Sequence, residues 1–158
     1  MIAGMPAGTP TTDSLLGAIT NVWTNHPGLH KLCPQIWTDE VPEKDEHGNR
    51  IGFPYCQLVL EEETPDPSFE NTYTEDNRVT FNIFVNTRES GRKIRRQLKA
   101  VMDNAFPRLP VVDLEIIHVD RIKGHVEAQE LVDRSGNRIF QYKMTYTIIT
   151  ETLQTRGK

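Results

Sequence analysis

Hydrophobic positions recur along this chain in two rhythms, one of helical period and one of period two. Leu15, Leu16, Ile19, Val22 and Trp23 share one face of a helix. Thr12 or Asp13 is placed to cap it, and HisProGly at 26–28 predicts its end. Residues 35–41 (QIWTDEV) read as a short strand. The polar segment 42–54, with its HisGlyAsn turn signal, reads as a long hairpin loop. Alternation then begins at Tyr55. Cys56, Leu58 and Leu60 point one way and Tyr55, Gln57 and Val59 the other, to about residue 62. The Pro-rich run TPDPSFENT fits neither rhythm and reads as a connection. Between 78 and 86 the alternation is clearest, with Val79, Phe81, Ile83 and Val85 on one face.

A second helix starts near Glu89 or Ser90. Ile94, Leu98, Val101, Met102, Ala105 and Phe106 form one apolar stripe, and Pro107 is the expected stop. A fourth strand runs from about 112 to 122 or beyond. DRSGN at 133–137 signals a hairpin, and the strand at 138–150 puts Phe140, Tyr142, Met144, Tyr146 and Ile148 on one face.

The predicted order is α-β-β-β-α-β-β. Short connections favour antiparallel pairing, and each helix has a single apolar stripe to bury. The expected architecture is therefore α+β: a two-layer sandwich with a mostly antiparallel sheet and two helices on one face. At 158 residues one domain is expected, over 12–151, with an extended arm at 1–11 and a polar tail at 152–158.

Charge narrows the function classes. The 22 acids outnumber the 18 Lys and Arg, giving a net charge of −4, which is unlike a general DNA or membrane binder. Two cysteines set no disulfide framework. The first ten residues lack the basic and apolar regions of a secretory signal, and no window is apolar enough to span a membrane. A soluble protein made in a cytoplasm is expected.

No Gly-rich phosphate loop, nucleophile elbow or zinc-helix motif is present in the sequence. No catalytic residue, cofactor or metal is predicted. His26, His30 and Cys33, with Cys56, have a spacing open to a metal; exposed histidines and packed thiols are the plainer reading. Seven acids and no base occupy 61–76. They suit a hard cation or acid–base chemistry, or a solvated face. Six bases between Arg88 and Lys99 suit phosphate binding, or a solvated helix face. A small metal-binding or enzymatic domain and a nucleic-acid module built on the 88–99 helix are thus the alternatives to a structural role.

Considered together, the acidic segment and the basic helix suggest a molecule whose oppositely charged patches associate head to tail, a geometry that closes into rings. The candidate interface residues are Glu61, Glu62, Glu63 and Asp66 on one subunit, with Arg92, Arg95, Arg96 and Lys99 on its neighbour. Partner contacts favour loops on a rigid scaffold. That selects Asp45, His47, Asn49 and Arg50 in the long loop, and Arg134 and Asn137 at the hairpin tip.

The stretches PYCQLVLEEE, RVTFNIFVNTRES, IRRQLKAVMDNAF and FQYKMTYTIITE, in this order, resemble the tail terminator or tail-completion proteins of tailed bacteriophages and related particles. The resemblance covers about 13–151 and rests on element order and the strand–Arg–helix junction. The arm before Thr12 and the long 42–54 loop depart from it. It implies a non-enzymatic virion protein of the head–tail junction, made in the bacterial host cytoplasm. It would form a ring, commonly of six copies, that caps the tail tube and docks it to the connector, adaptor or portal-proximal protein. DNA would pass through the lumen without sequence-specific binding. A net acidic subunit suits a channel that must not grip phosphate.

Overall fold

The computed structural model describes residues 11–65, 74–108, 111, 114–122 and 128–152. The predicted arm at 1–11 and tail at 152–158 lie almost wholly outside the described residues. So does Asp66. The fold is α+β, with a mostly antiparallel six-stranded sheet covered on one face by helices.

The helices are α1 (Thr11–Asn25), α2 (Pro27–Leu32) and α3 (Arg88–Ala100). The strands are β1 (Ile36–Thr38), β2 (Tyr55–Pro65), β3 (Thr74–Val85), β4 (Leu114–Arg121), β5 (Gln129–Val132) and β6 (Arg138–Thr152). The spatial order is β1-β2-β3-β6-β4, and β5 lies beside β4 along the same edge of β6. β6 is therefore central. It pairs with β3 from Thr74↔Glu151 to Val85↔Phe140. On its other side it pairs with β4 near its end and with β5 near its start.

The core forms where the two rhythms meet. α1 contributes Leu15, Leu16, Ile19 and Trp23, and the second apolar stripe contributes Ile94, Leu98, Val101, Met102 and Phe106. Against them lie the inward residues of β2, β3 and β6, with Cys56, Leu58, Val79, Phe81, Ile83, Val85, Tyr146 and Ile148 fully buried. Trp23 stacks on Phe81 with ring centroids 6.1 Å apart, and Phe81 meets Tyr146 edge-on at 5.9 Å. The Trp23 indole donates a hydrogen bond of 2.8 Å to the Cys33 carbonyl. Burial of each such large side chain stabilises the fold by about 1.5–3 kcal/mol, which is why the pattern of alternation decides the layer order.

Five local features differ from the sequence expectation. First, β1 and β2 are parallel, with Ile36 opposite Cys56, and not a hairpin. Between them the chain bends at Asp39 (φ 64°) and folds back inside the loop, where Lys44 and Arg50 bridge antiparallel. Second, HisProGly does not only stop a helix. It also starts α2: the His26 Nδ1 accepts from the Leu29 N–H at 3.2 Å, and Pro27 occupies the first turn, where a missing N–H costs nothing. Third, β2 and β3 run beyond 62 and before 78, pairing Glu62 with Arg78 and Pro65 with Glu75.

Fourth, the predicted fourth strand ends as β4 at Arg121, and a separate short strand, β5, follows it and shares its partner β6. Fifth, α3 loosens into a π-helical turn at Val101–Ala105 and a 3-10 turn at Phe106–Arg108, so Pro107 sits inside the last turn.

Candidate functional site

The basic helix face is built by a simple division of labour. Thr87 caps α3, its Oγ1 accepting from the Ser90 N–H at 3.2 Å. Gly91, Ile94 and Leu98 face the sheet, so the intervening bases turn outward. Lys93 pairs with Glu89 at 3.2 Å, one turn earlier. The Arg88 guanidinium lies over the Phe140 ring, 4.7 Å from its centroid. Arg95 is half-buried and has a partner. Arg92, Arg96 and Lys99 are exposed, and no ion pair engages them among the described residues. The candidate base cluster thus divides, and three charges remain directed at solvent.

The described acidic candidates lie within the sheet. Glu61 occupies a bulge of β2, between Leu60 and Glu62, on the sheet face away from the helices. Its Oε2 accepts from the Thr80 hydroxyl at 2.7 Å, and its Oε1 lies 3.7 Å from the Lys143 ammonium. Thr80 also meets the Thr145 hydroxyl at 3.0 Å. Glu62 and Glu63 lie inside the extended strand, opposite Arg78 and Asn77.

Around Glu61 the open sheet face carries cross-strand ladders. Tyr55 stacks between Phe53 and Phe84, with centroids 5.4 Å and 4.9 Å away. The next row is amide-linked: Asn82 Nδ2 donates to Gln57 Oε1 at 3.4 Å, and Gln141 Nε2 donates to Asn82 Oδ1 at 3.1 Å. These pairs set the register of the sheet's centre.

The two loop candidates form one corner. Asp45 Oδ1 accepts from the N–H groups of His47 and Asn49, both at 2.9 Å, and Gly48 takes the positive φ that the turn needs. Asp133 does the same for Ser135 and Asn137 at 2.9 and 2.8 Å, with Gly136 in Gly48's role. Arg134 forms an ion pair with Glu43, which joins the loops. His47, Asn49, Arg50 and Asn137 remain exposed at this corner.

The metal candidates have other tasks. His26 is a helix cap, and His30 is exposed. Cys33 and Cys56 are fully buried. Burial pushes the Cys33 thiol up to about 12, against a weaker opposing effect from a hydrogen bond with the Gln35 backbone. It also pushes Cys56 well up, reinforced by Cys33 nearby. Among the described residues no group of three or more His, Cys, Asp or Glu is placed to hold a metal ion. No described helix is long and apolar enough to cross a membrane.

One surface escaped the sequence reading. Among the described residues three large hydrophobics remain exposed: Ile117 (51%), Ile122 (37%) and Val132 (70%). All lie on or beside the β4–β5 edge. The sequence signal was the IleIle pair at 116–117, which breaks strict alternation. Ile117 is the extra residue of a β-bulge, since Ile116 pairs with Thr150 and His118 with Ile149.

No family model and no curated protein matches the sequence. Among solved structures, a chain from the virion of the native gene transfer agent particle matches with a TM-score of 0.62. The match covers 89% of this chain and 96% of that one, at 10% identity. What the two chains share is a fold. The likeness spans nearly the whole of both, so the shared unit is the complete two-layer domain and not an isolated hairpin or helix pair.

Proposed function

We propose that this chain is a structural virion protein of the phage head–tail junction, without enzymatic activity. In this reading it forms a ring, of six copies, that caps the tail tube and docks it to the connector or portal-proximal protein, leaving a channel for DNA. The observation that carries the proposal is the near-complete fold match to a chain of a phage-like particle. The strand–Arg–helix junction at residues 78–99 and the unpaired outward bases of α3 support it.

The physical account is one of assembly. Arg92, Arg96 and Lys99 form a fixed, solvent-directed charge cluster on a rigid helix, suited to steering a neighbour into register. The corner made by residues 42–54 and the 133–137 turn is held by the Glu43–Arg134 pair and presents His47, Asn49, Arg50 and Asn137 to a tube or connector protein. Net acidity keeps the lumen from gripping phosphate.

Imaging of assembled particles tests this directly. The expected result is a ring of this chain between portal and tail tube, and particles lacking the chain should carry heads and tails that fail to join stably. A chain absent from purified particles, or found only in the capsid shell or at the tail tip, overturns the proposal.

A further inference from the structure

The β4–β5 edge combines features that rarely stay together on a free surface. It is an outer edge of the sheet, and among the described residues no strand lies beyond it. It carries the three exposed large hydrophobics of the described residues. It also carries two exposed acids, Glu115 and Asp120, and neither meets a base within this chain among the described residues. Both stand on the face away from the helices, because they pair with Glu151 and Thr147, whose neighbours Thr150, Ile148 and Tyr146 point into the core. Val132 lies at the far end of the edge, opposite Arg138, whereas Ile117 and Ile122 alternate along β4 and its end with the unpaired acids Glu115 and Asp120, and apolar side chains interspersed with charge are the composition of an interface with a polar rim.

We infer that this edge is the acidic half of a contact between two copies of this chain, and that the outward face of α3 on the neighbour is what covers it. The inference rests on the ring reading above and adds the surface that closes the ring. Charge selects the occupant: Glu115 and Asp120 face outward unpaired on one element, and Arg92, Arg96 and Lys99 do so on another. The bulge at Ile117 kinks and twists the edge, which works against adding a further strand, so the contact runs through side chains. Long Arg and Lys stems suit it, since they cover apolar surface while the charged heads reach the acids. The two patches lie on different elements of the same chain, so the contact is heterologous and propagates head to tail, as a closed ring requires. Glu61 already meets Thr80 and Lys143 in its own chain, whereas these two acids have no such partner.

Charge reversal with cross-complementation tests the pairing. One variant carries Glu115→Lys and Asp120→Lys; a second carries Arg92→Glu and Arg96→Glu. All four sites are exposed, and circular dichroism verifies that both variants fold. Self-association is followed by sedimentation and negative-stain imaging at low salt, and incorporation is followed in particles. Each variant alone should associate about tenfold or more weakly than the unaltered chain, because like charges now face each other. An equimolar mixture should regain rings, since each altered edge then meets an oppositely altered helix. A third variant, Ile117→Ser with Ile122→Ser, should weaken assembly at high and low salt alike, unlike the charge variants, whose defect is screened. Variants that assemble like the unaltered chain, or losses that mixing fails to restore, overturn this surface while the unaltered chain still forms rings. An unaltered chain that is monomeric in solution and absent from the junction overturns the ring reading itself.

Discussion

Gly91 of α3 and Tyr142 of β6 approach so closely that a Cβ on Gly91 would stand 2.1 Å from the tyrosine Cε1. The tyrosine hydroxyl then donates at 3.1 Å to the Arg88 carbonyl, one turn earlier in the same helix. The helix is thus seated on the sheet by a missing side chain and a hydrogen bond placed side by side. Alanine is otherwise the better helix former by about 1 kcal/mol, so the glycine is explained by contact and not by propensity. Gly91→Ala should destabilise the fold by about 1–3 kcal/mol through overpacking, measured by urea unfolding. Adding Tyr142→Leu should recover part of the loss. Equal stability of Gly91→Ala and the unaltered chain would count against this seating.

The two thiols should be silent in the folded protein. Both are fully buried, and Cys33 is held near 12 against an ordinary 9.0. A disulfide reagent at pH 8 should leave the native protein unmodified and label two thiols in urea. Both folded values are raised, so the unfolded chain loses its thiol protons first. Stability from the protonated thiols is complete below pH 9 and falls as the pH rises towards the folded value, by about 1.4 kcal/mol per pH unit for each thiol. Replacing both by alanine should flatten that alkaline slope; an unchanged slope would assign it to other groups.

Tyr146 shifts in the same direction as the thiols, and its hydroxyl adds a second liability. Its ring is fully buried, but its hydroxyl has no hydrogen-bond partner among the described residues. Burial raises its pKa, Asp103 adds to the rise, and Arg121 opposes it. A buried hydroxyl without a partner is a liability, so Tyr146→Phe should leave stability unchanged or raise it by up to about 1 kcal/mol. A loss of that size on removing the oxygen would reveal a partner for it.

Glu61 separates packing from pairing. The Lys143 side of its contact is mostly exposed, so Lys143→Ala should cost no more than about 0.5 kcal/mol. Glu61→Ala also removes the acceptor of the buried Thr80 hydroxyl and should cost about 1–2 kcal/mol. Thermal unfolding of the two single variants gives the comparison. Equal losses would mean that the ion pair, and not the Thr80 hydrogen bond, dominates.

Legibility in the sequence followed the strength of the local rhythm. Val79 to Val85 and Ile94 to Phe106 were readable because each position's burial follows from its spacing. The β1–β2 pairing was not, because parallel or antiparallel depends on the path of the chain through 39–54. One bend in it is an Asp39 backbone conformation with no sequence marker. The break between β4 and β5 was hidden because both strands answer to the same distant partner. For the candidate site, the outward bases of α3 followed directly from helical geometry. The in-chain partners of Glu61 did not, since they come from β3 and β6, which only the assembled sheet brings beside it. The apolar β4–β5 edge was missed because Ile117 and Val132 look like core residues when burial is inferred from residue type.

The position of β6 has a consequence for the order of events during synthesis. It is the last described strand in sequence and the central one in space, lying between β3 and the β4–β5 edge. Until residues 138–152 leave the ribosome, β3 has an unpaired side, and β4 and β5 have no partner in the sheet. The domain must therefore acquire its native topology after most of the chain is made, through pairings far apart in sequence, a route that is slow for its size. Nascent chains stalled before residue 138 should be bound by chaperones or degraded, while the full chain released from the ribosome should resist protease.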